Sequence, residues 1–443
     1  MRMDWGRLLT KIRLGREEDK PSDDIRSEYM RDWDRIVYSS AFRRMQDKTQ
    51  VFPLAESDYV RTRLTHSIEV SSVGRSLGTL VGGFVKENEE IDVDAQDFGN
   101  IVATACLAHD IGNPPFGHSG EEAIRSWFAD KGKQYLQMLT AEEQEDFLNF
   151  EGNAQGFRIL TRLQNAVGRG GMQLTYAVLA AYIKYPRASY PRNQSKSLVS
   201  EKKFGYYFND QENFLRVAKQ AGLVEKRDGV YARHPLAFLM EAADDICYRV
   251  IDLEDGHRVG RISFDETEGL LGPIAFLGDE NPQKSSYADI EDERGKIEYL
   301  RARAINNVAF SVVDVFKRNY EKIMAGAFEN DLTTLCDFAD QLERIKKVSK
   351  EKVYAASNVL HIEAAGFEVL GGLLDKVVPA LVLEDNKATS ADKKIFSIIP
   401  PQFTRGKSTY ERMLAATDFV SGMTDTYAVT LFRRLKGIDL PTG

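Results

Sequence analysis

The feature that most constrains the fold is a dense apolar segment, residues 101–111, which ends in Gly-Asn-Pro-Pro at 112–115. A run of this kind predicts a buried helix, and the prolines end it because proline lacks a backbone N–H and disfavours helix in the residue before it. Residues 66–84, which precede it, carry apolar side chains mainly at three- and four-residue steps, the spacing of a helix with one apolar face. The chain is therefore expected to build its core by packing helices.

The rest of the chain shows the same helical character. Helix is predicted for residues 120–128, 174–183, 235–253, 301–325 and 359–383. Strands are indicated only at residues 225–231, where Asp-Gly lies between two short runs as in a β-hairpin. Polar stretches are predicted to interrupt the helices at residues 1–24, 131–145, 187–200, 278–295 and 384–394. The predicted fold class is all-α (predominantly helical), with at most a small β-hairpin.

Composition argues against several classes of protein. The formal net charge of the 443 residues is −8, whereas a general nucleic-acid-binding protein usually carries a basic excess. The three cysteines form neither a zinc pair nor a disulfide framework by their spacing, which favours a reducing, cytoplasmic location. Residues 1–20 are polar, unlike a signal peptide, and no run of about 18 apolar residues predicts a membrane span.

The strongest chemical signal is His109-Asp110, at the polar end of the apolar segment. An imidazole beside a carboxylate can present two ligands to one metal ion, and two further ligands must come from elsewhere. His66, at the start of the preceding helix, and Asp244, in a later one, are the candidates. A His-Asp pair also occurs by chance, but three of the six histidines fall in these segments, in which His118 follows the proline turn.

Asp245 competes with Asp244 for the fourth ligand position. Asp244, Tyr248 and Asp252 stand at i, i+4 and i+8, so they share one face of a helix. Asp245 is turned away by about 100°, the rotation per residue of an α-helix. The spacing favours Asp244 as the ligand and leaves Asp245 as a solvated or supporting carboxylate.

Five segments together resemble the bacterial deoxyguanosine triphosphate triphosphohydrolases of the HD superfamily, whose metal-binding pattern is H…HD…D. The segments run in family order through residues 25–260, and the resemblance beyond them is looser. They are Ser-Ser-Ala-Phe-Arg-Arg (39–44), Asp-Lys-Thr-Gln-Val-Phe-Pro (47–53), Arg-Thr-Arg-Leu-Thr-His-Ser (61–67), His-Asp-Ile-Gly-Asn-Pro-Pro-Phe-Gly-His-Ser-Gly-Glu (109–121) and Glu-Ala-Ala-Asp-Asp-Ile-Cys-Tyr (241–248).

The resemblance implies a role for particular side chains. The four residues that match the family's metal ligands are His66, His109, Asp110 and Asp244. His118 and Glu121 resemble its catalytic dyad, in which a histidine held by a carboxylate protonates the leaving 5′-oxygen of the sugar. The alternative for His118 is a packing role in the turn.

The remaining implied roles concern the substrate. Arg63 resembles the arginine that contacts the α-phosphate, for which a planar guanidinium is suited. Lys184, Tyr185 and Lys203 resemble phosphate contacts, although a lone lysine is also common on a solvated surface. Gln50 and Asp252 resemble contacts of the sugar 3′-hydroxyl, and Tyr248 would exclude a 2′-hydroxyl by shape. The other histidines, His234, His257 and His361, are interpreted as packing or surface residues.

The resemblance thus implies an HD helical core that cleaves a deoxynucleoside triphosphate (dNTP), usually dGTP, to a deoxynucleoside and inorganic triphosphate. The expected domains are an N-terminal arm (1–25), the HD phosphohydrolase core (26–260) and a C-terminal helical region packed on it (261–443). Mn²⁺ or Mg²⁺ is the expected divalent metal, and Fe, Co, Ni or Zn also suits the ligands. A homo-oligomer, plausibly a hexamer, and a nucleotide or single-stranded DNA effector are further expectations, without a membrane partner.

Two alternatives stay open at this stage. One is another HD phosphohydrolase, a nucleotidase or a phosphodiesterase. The other is a nucleotide-sensing or single-stranded-DNA-binding oligomer with weak catalysis. The sequence does not decide the preferred base, the metal or the size of the oligomer.

Overall fold

The computed structural model describes residues 2–19, 25–50, 61–164, 170–190, 198–277, 286–354, 357–383 and 387–439, except the side chains of 357–359 and 362–363. Within these ranges the fold is predominantly α-helical, as predicted. The helices are α1 (Trp5–Leu8), α2 (Glu28–Val37), α3 (Ser40–Arg44), α4 (Arg63–Asn88), α5 (Ala95–Ala108), α6 (Gly117–Ala129), α7 (Lys133–Leu136), α8 (Ala141–Leu148), α9 (Gly152–Arg158), α10 (Tyr176–Tyr182), α11 (Gln211–Ala221), α12 (Pro235–Arg258), α13 (Phe264–Ala275), α14 (Glu293–Arg318), α15 (Tyr320–Met324), α16 (Ala339–Ser349), α17 (Ser357–Val382), α18 (Ser390–Ile398), α19 (Thr409–Ser421) and α20 (Asp425–Leu435).

The predicted hairpin is present as strands β1 (Glu225–Arg227) and β2 (Val230–Tyr231), which pair antiparallel. They form the one sheet in the described part of the chain. Each helix predicted from apolar spacing overlaps an observed helix, although Asn319 divides the predicted helix 301–325 into α14 and α15. Periodicity was therefore a sound guide to the long helices.

Four of the predicted interruptions are wrong in part. Helix α1 lies within 1–24, α7 and α8 lie in or begin within 131–145, α14 begins within 278–295, and α18 begins within 384–394. Both α8 and α18 start at a capping box, in which a threonine side chain and an acid three residues later bond each other's backbone N–H groups. These boxes supply local helix starts within polar sequence. Residues 191–197 and 278–285, which belong to the predicted interruptions 187–200 and 278–295, lie outside the described residues.

The close contact of α4 with α5 fixes the geometry on which the site depends. At Gly78 an added Cβ would lie 2.7 Å from the Phe98 carbonyl oxygen and 2.9 Å from the Gly99 Cα. One turn later, a Cβ at Gly82 would lie 2.8 Å from the Ala95 carbonyl oxygen. The two backbones therefore approach more closely than larger residues allow. This packing holds the first turn of α4 beside the end of α5.

Two clusters of buried apolar side chains hold the helices together. The first includes α4, α5, α10 and α12 and extends to α14 and α16. The second joins α6 and α8 to the C-terminal helices α17, α19 and α20. The C-terminal residues thus contribute to both clusters. The helices α4, α5 and α12, on which the predicted metal ligands lie, belong to the first cluster, whereas α6, with the predicted dyad, belongs to the second.

The described part of the predicted N-terminal arm packs against the helical core. Trp5 is buried, and its indole N–H donates to the Tyr320 hydroxyl at 2.7 Å. Arg13 forms ion pairs with Glu28 and Asp32 of α2. The domain limits at 25 and 260 remain a prediction. Among the residues that the structure describes, every helix is too short or too polar to cross a lipid bilayer.

Candidate metal centre and active site

Three helices bring predicted metal ligands together. His66 lies in the first turn of α4, His109 directly follows α5, and Asp244 lies in α12. The Asp244 Oδ1 atom is 3.3 Å from His66 Nε2 and 3.4 Å from His109 Nε2. One ligand atom from each of the three side chains lies within 4.8 Å of the others. This is a cluster of nitrogen and oxygen donors of the size that one metal ion can bridge.

Asp110 borders this cluster. Its Oδ1 atom is 3.5 Å from His109 Nε2 and accepts from Asn113 Nδ2 at 2.6 Å. Its Oδ2 atom accepts from Arg63. Asp110 therefore lies between the imidazoles and a guanidinium, where it can contribute charge to a metal ion while its orientation is fixed by two partners.

The chemistry of the donor atoms fits a cation. His109 Nδ1 lies 2.6 Å from the Cys106 carbonyl oxygen, which can only accept, so Nδ1 is the donor. In the neutral ring, His109 Nε2 then carries a lone pair, and it lies next to oxygens of Asp110 and Asp244. Acceptors this close repel one another unless a proton or a cation lies between them. The backbone bond that fixes the ring is typical of metal-binding histidines.

The electrostatics of the cluster point the same way. Burial opposes a charge on His109, but the carboxylates of Asp110 and Asp244 outweigh it and raise the pKa of the imidazole. Burial also opposes charge on the two aspartates, yet the pKa of each carboxyl is lowered: by His109 and Arg63 for Asp110, and by Lys184 and His109 for Asp244. The carboxylates are thus ionised, as metal ligands must be.

The Asp245 carboxylate bonds partners outside the cluster. Its Oδ2 atom accepts from the Thr333 hydroxyl at 2.6 Å and from Arg249 at 3.3 Å. Its neighbour Asp244 instead faces the two histidines and Lys184, whose Nζ donates to Asp244 Oδ2 at 2.8 Å. The two adjacent carboxylates therefore have separate partners, in keeping with the rotation between consecutive residues of α12.

The predicted dyad lies on α6, which begins directly after the proline turn. His118 Nδ1 is 3.0 Å from Glu121 Oε2, and the Gly152 N–H donates to Glu121 Oε1 at 2.7 Å. The His118 side chain is 81% exposed, whereas that of Glu121 is 3% exposed. Burial would raise the pKa of Glu121, but His118 and Lys203 lower it. An ionised, buried carboxylate thus holds an exposed imidazole.

The turn between the metal ligands and the dyad has an unusual backbone. Phe116 and Gly117 both have left-handed conformations, with φ of 63° and 58°. Glycine adopts this region freely, whereas phenylalanine does so at a cost. A Cβ at Gly117 would also lie 2.6 Å from Arg63 Nη2. Glycine at 117 therefore permits both the turn and the close approach of the guanidinium.

A cavity of about 510 Å³ connects the cluster with the dyad. Ten of the predicted site residues line it: Gln50, Arg63, His109, Asp110, His118, Lys184, Tyr185, Lys203, Asp244 and Tyr248. The other three, His66, Glu121 and Asp252, are buried behind the wall and contact side chains that line it. The structure thus gathers the whole predicted set around one cavity.

Cationic and polar groups face this cavity from several elements. Besides Lys184, Lys203 forms an ion pair of 3.0 Å with Glu151. Tyr185 packs against the Arg233 guanidinium, 5.6 Å from the ring centroid. The Gln50 side-chain oxygen is buried and has no hydrogen-bond partner within the described part of the chain. Residues 51–53 of the same motif lie outside that part.

Tyr354 is a wall residue that the sequence did not predict. Its ring stacks on Tyr248 with a centroid distance of 5.7 Å and an interplanar angle of 5°, and its hydroxyl donates to Asp252. Burial raises the pKa of Asp252. Tyr354 lies 106 positions after Tyr248 and has no motif around it, so no sequence signal marked it.

Glu151, Asn113 and Asn153 also line the cavity unpredicted. Asn113 belonged to the proline turn that the sequence singled out, so its amide contact with Asp110 could have been anticipated. Glu151 and Asn153 lie at the start of α9, which apolar spacing did not predict.

The remaining histidines lie apart from the cavity, as interpreted from the sequence. His234 is buried, bonded to the Leu8 carbonyl and the Leu236 N–H. His257 bonds the Ile262 carbonyl, and His361 is exposed on α17. Cys106, Cys247 and Cys336 are free and buried.

Comparison with known proteins agrees with the geometry. The HD domain family matches residues 63–168, and the phosphohydrolase-associated domain family matches residues 336–434. The chain is 42% identical, over 99% of its length and all of the relative's, to a deoxyguanosinetriphosphate triphosphohydrolase-like protein of Synechocystis sp..

Two further relatives extend this comparison. A protein of the same description from Pseudomonas aeruginosa is 39% identical over 99% of this chain and all of its own length. A deoxyguanosinetriphosphate triphosphohydrolase of Salmonella paratyphi A is 31% identical over 95% of both chains. The chain therefore belongs to the deoxyguanosinetriphosphate triphosphohydrolase-like family of HD-domain hydrolases.

Proposed function

We infer that the protein is a metal-dependent dNTP triphosphohydrolase that converts a dNTP and water to a deoxynucleoside and inorganic triphosphate. The observation that carries this inference is the common cavity, into which the His109–Asp244 cluster and the His118–Glu121 dyad both open. Hydrolysis at the α-phosphate needs an activated water on one side of phosphorus and an acid for the leaving oxygen on the other. dGTP is the first substrate to test, because the relatives are named for it.

The divalent metal would be held by His66, His109, Asp110 and Asp244. Bound there, it would supply Lewis-acid chemistry, polarising the α-phosphate and lowering the pKa of the attacking water. Nitrogen and carboxylate ligands suit Mn²⁺ and also Fe, Co, Ni or Zn, while Mg²⁺ prefers oxygen. Mn²⁺ is therefore the first ion to test.

His118 supplies the acid. Its Nδ1 faces the ionised Glu121 carboxylate, so the proton it can transfer is on Nε2. As the water oxygen bonds to the α-phosphorus, the bond from phosphorus to the 5′-oxygen breaks and this oxygen takes the proton from His118. The products are a deoxynucleoside and triphosphate; the attacking water releases a proton to solvent, from which His118 regains one. Its exposure on the cavity side favours this exchange.

Cations around the cavity suit a polyphosphate. Arg63 lies beside Asp110, where its guanidinium can reach the α-phosphate, and its buried Nε has no partner in the described part of the chain. Lys184, Tyr185 and Lys203 also line the cavity and are the proposed contacts of the outer phosphates. Each lysine already faces a carboxylate, which keeps it charged and oriented.

The sugar is proposed to lie against Tyr248. The parallel rings of Tyr248 and Tyr354 form a flat wall, which would exclude a 2′-hydroxyl by shape. Gln50, with its unbonded side-chain oxygen, is the proposed contact of the 3′-hydroxyl. Asp252 lies behind this wall and bonds Tyr354, so its proposed contribution to the sugar site passes through that hydroxyl.

A substrate screen tests the proposal. The four dNTPs and four NTPs are incubated with the protein, with and without Mn²⁺, and the products are separated. We expect inorganic triphosphate and a deoxynucleoside from at least one dNTP, with metal only. Release of monophosphate or pyrophosphate would instead support a nucleotidase or phosphodiesterase. Nucleotide or single-stranded DNA binding without turnover would support a sensing oligomer, and oligomer size and any effector remain predictions.

A further inference from the structure

We propose that Asp425, at the start of the C-terminal helix α20, is a positioning residue for the catalytic turn at 112–117. The expected effect of Asp425 on turnover rests on the proposed function. Its effect on the conformation of residues 112–117 does not depend on that function. Asp425 lies 309 positions beyond Phe116, yet its carboxylate accepts directly from the Phe116 backbone N–H at 3.0 Å. The C-terminal helix thus holds the backbone immediately before His118.

Both oxygens of the Asp425 carboxylate accept hydrogen bonds. Its Oδ1 atom takes the Phe116 N–H, and its Oδ2 atom takes both the backbone N–H of Thr49, at 3.0 Å, and the Thr49 hydroxyl. The residue is 2% exposed. A buried carboxylate satisfied by three donors from two other segments specifies their relative position, because leaving any of these groups unbonded is costly.

The turn needs such an anchor because its conformation is unfavourable. Phe116 is left-handed and precedes α6 without a side-chain cap of its own. A non-glycine residue persists in this region when its surroundings fix it. The Phe116 ring is also fixed by a C-terminal helix: an added Cβ at Gly366 of α17 would lie 3.1 Å from ring carbons of Phe116. Two C-terminal helices, α20 and α17, therefore contact the backbone and the side chain of Phe116.

A second anchor holds the other end of the turn. The buried Lys48 Nζ atom donates to the Asn113 carbonyl and, at 3.1 Å, to the Ser421 carbonyl at the end of α19. Thr426 adds a bond of 2.9 Å from α20 to Asp47. The turn is thus held at position 116 by Asp425 of α20, and at position 113 by Lys48, which also bonds the end of α19. The C-terminal region completes the geometry of the dyad without lining the dyad itself.

Loss of the anchor is expected to affect turnover more than binding. His66 and Asp244 lie on α4 and α12, and Asp110, which Asn113 of the turn contacts, is also held by Arg63. Metal content and KM are therefore expected to remain near those of the native protein. His118 lies two residues after Phe116, so a shift of the turn misplaces the acid. A displacement of about 1 Å at a reacting group can cost roughly 100-fold in rate.

The test compares Asp425→Ala with Thr424→Ala. Thr424 caps the same helix by accepting from the Tyr427 N–H but does not bond the turn, so its loss weakens the start of α20 without releasing the turn. We expect Asp425→Ala to lower kcat about 10- to 100-fold, with metal content unchanged and KM within about 3-fold, and Thr424→Ala to stay within about 2-fold of native in both. Asp425→Asn, which keeps one acceptor, is expected to lie between them.

Hydrogen exchange provides a readout independent of activity. Peptides covering residues 112–121 are expected to exchange faster in Asp425→Ala and Asp425→Asn than in Thr424→Ala. Equal kcat and equal exchange in all variants would overturn the proposal, as would a loss of kcat that follows a loss of metal. If the native protein hydrolyses no dNTP, the proposed function fails, and the exchange comparison still decides whether Asp425 holds the turn.

Discussion

The metal cluster and the catalytic turn are built in different ways, although they share one cavity. The cluster draws His66, His109 and Asp244 from the ends or faces of three long, regular helices that pack in one apolar core. The turn is irregular, contains two consecutive left-handed residues and is held by Asp425 and Lys48. The first is thus fixed by helix packing, and the second by buried polar contacts between segments distant in sequence.

This difference predicts how each part fails. Packing of regular helices spreads over many residues, so the cluster is sensitive chiefly to its own ligands. The turn depends on a few bonds, so single substitutions far from it in sequence are expected to change its geometry. The variants below separate the two kinds of dependence.

The largest effect is expected at the cluster. Asp244→Asn removes a charged ligand, whereas Asp245→Asn changes a carboxylate that faces Thr333 and Arg249. We expect the first to lose most of the bound metal and to lower kcat/KM by more than about 1,000-fold, equivalent to several kcal/mol of metal catalysis. Asp245→Asn is expected to retain metal. Elemental analysis and kinetics measure both, and equal metal loss would refute the helical-face assignment.

Removal of the dyad's histidine is expected to be the next largest effect. His118→Ala should lower kcat by about 100- to 10,000-fold, the range for loss of a general acid, while metal content and dNTP binding persist. His361→Ala is the matched control, because His361 of α17 is also exposed and is not among the residues that line the cavity. Steady-state kinetics and calorimetric binding distinguish the two. Native turnover by His118→Ala would remove this residue from the mechanism.

A smaller effect is expected at the sugar wall. Tyr354→Phe keeps the ring that stacks on Tyr248 but loses the bond to buried Asp252. We expect KM for the dNTP to rise about 3- to 10-fold, the cost of one bond to a buried polar group, with little change in kcat. Tyr410→Phe is the control, because it also removes a hydroxyl that donates to a buried aspartate, Asp146. An identical KM in both variants would contradict the role of Tyr354.

The last prediction concerns the pH dependence of folding stability and the anchor at Lys48. Burial lowers the pKa of this lysine to about 7 in the folded protein. Between this value and about 10.4, its ordinary pKa, the unfolded chain binds a proton that the folded one lacks, so stability rises with pH, by up to about 1.4 kcal/mol per unit. The stability gained at high pH is therefore lost as the pH falls, and none of it remains below the folded-state pKa of about 7. Lys48→Met is expected to remove this contribution, as measured by denaturant unfolding at pH 7 and 9. The same slope in both proteins would contradict it.

Much of this molecule could be predicted from its sequence because its signals are local. Apolar spacing marked the long helices, and the i, i+4 spacing of Asp244 and Tyr248 placed both in the wall of the cavity. The proline turn marked the region of the dyad. What escaped prediction depends on distant pairs: Tyr354 beside Tyr248, and Asp425 beside Phe116. No periodicity or motif in the sequence indicates that the two residues of either pair are in contact.

The capping box of α8 is a different case. Thr140 and Glu143 form a local pattern that predicts a helix start, but the surrounding charges favoured a loop. The capping pattern indicated a helix, but the polar composition of residues 131–145 led to the wrong prediction of a loop. Local polar contacts therefore deserve the same weight as apolar spacing when helices are assigned.

Hydrolysis of dGTP in ¹⁸O-labelled water, with bound Mn²⁺, tests the central claim most directly. Attack on the α-phosphorus, with the dyad protonating the 5′-oxygen, predicts one labelled oxygen in inorganic triphosphate and none in deoxyguanosine. Label in the deoxyguanosine, or in a monophosphate product, would contradict the account.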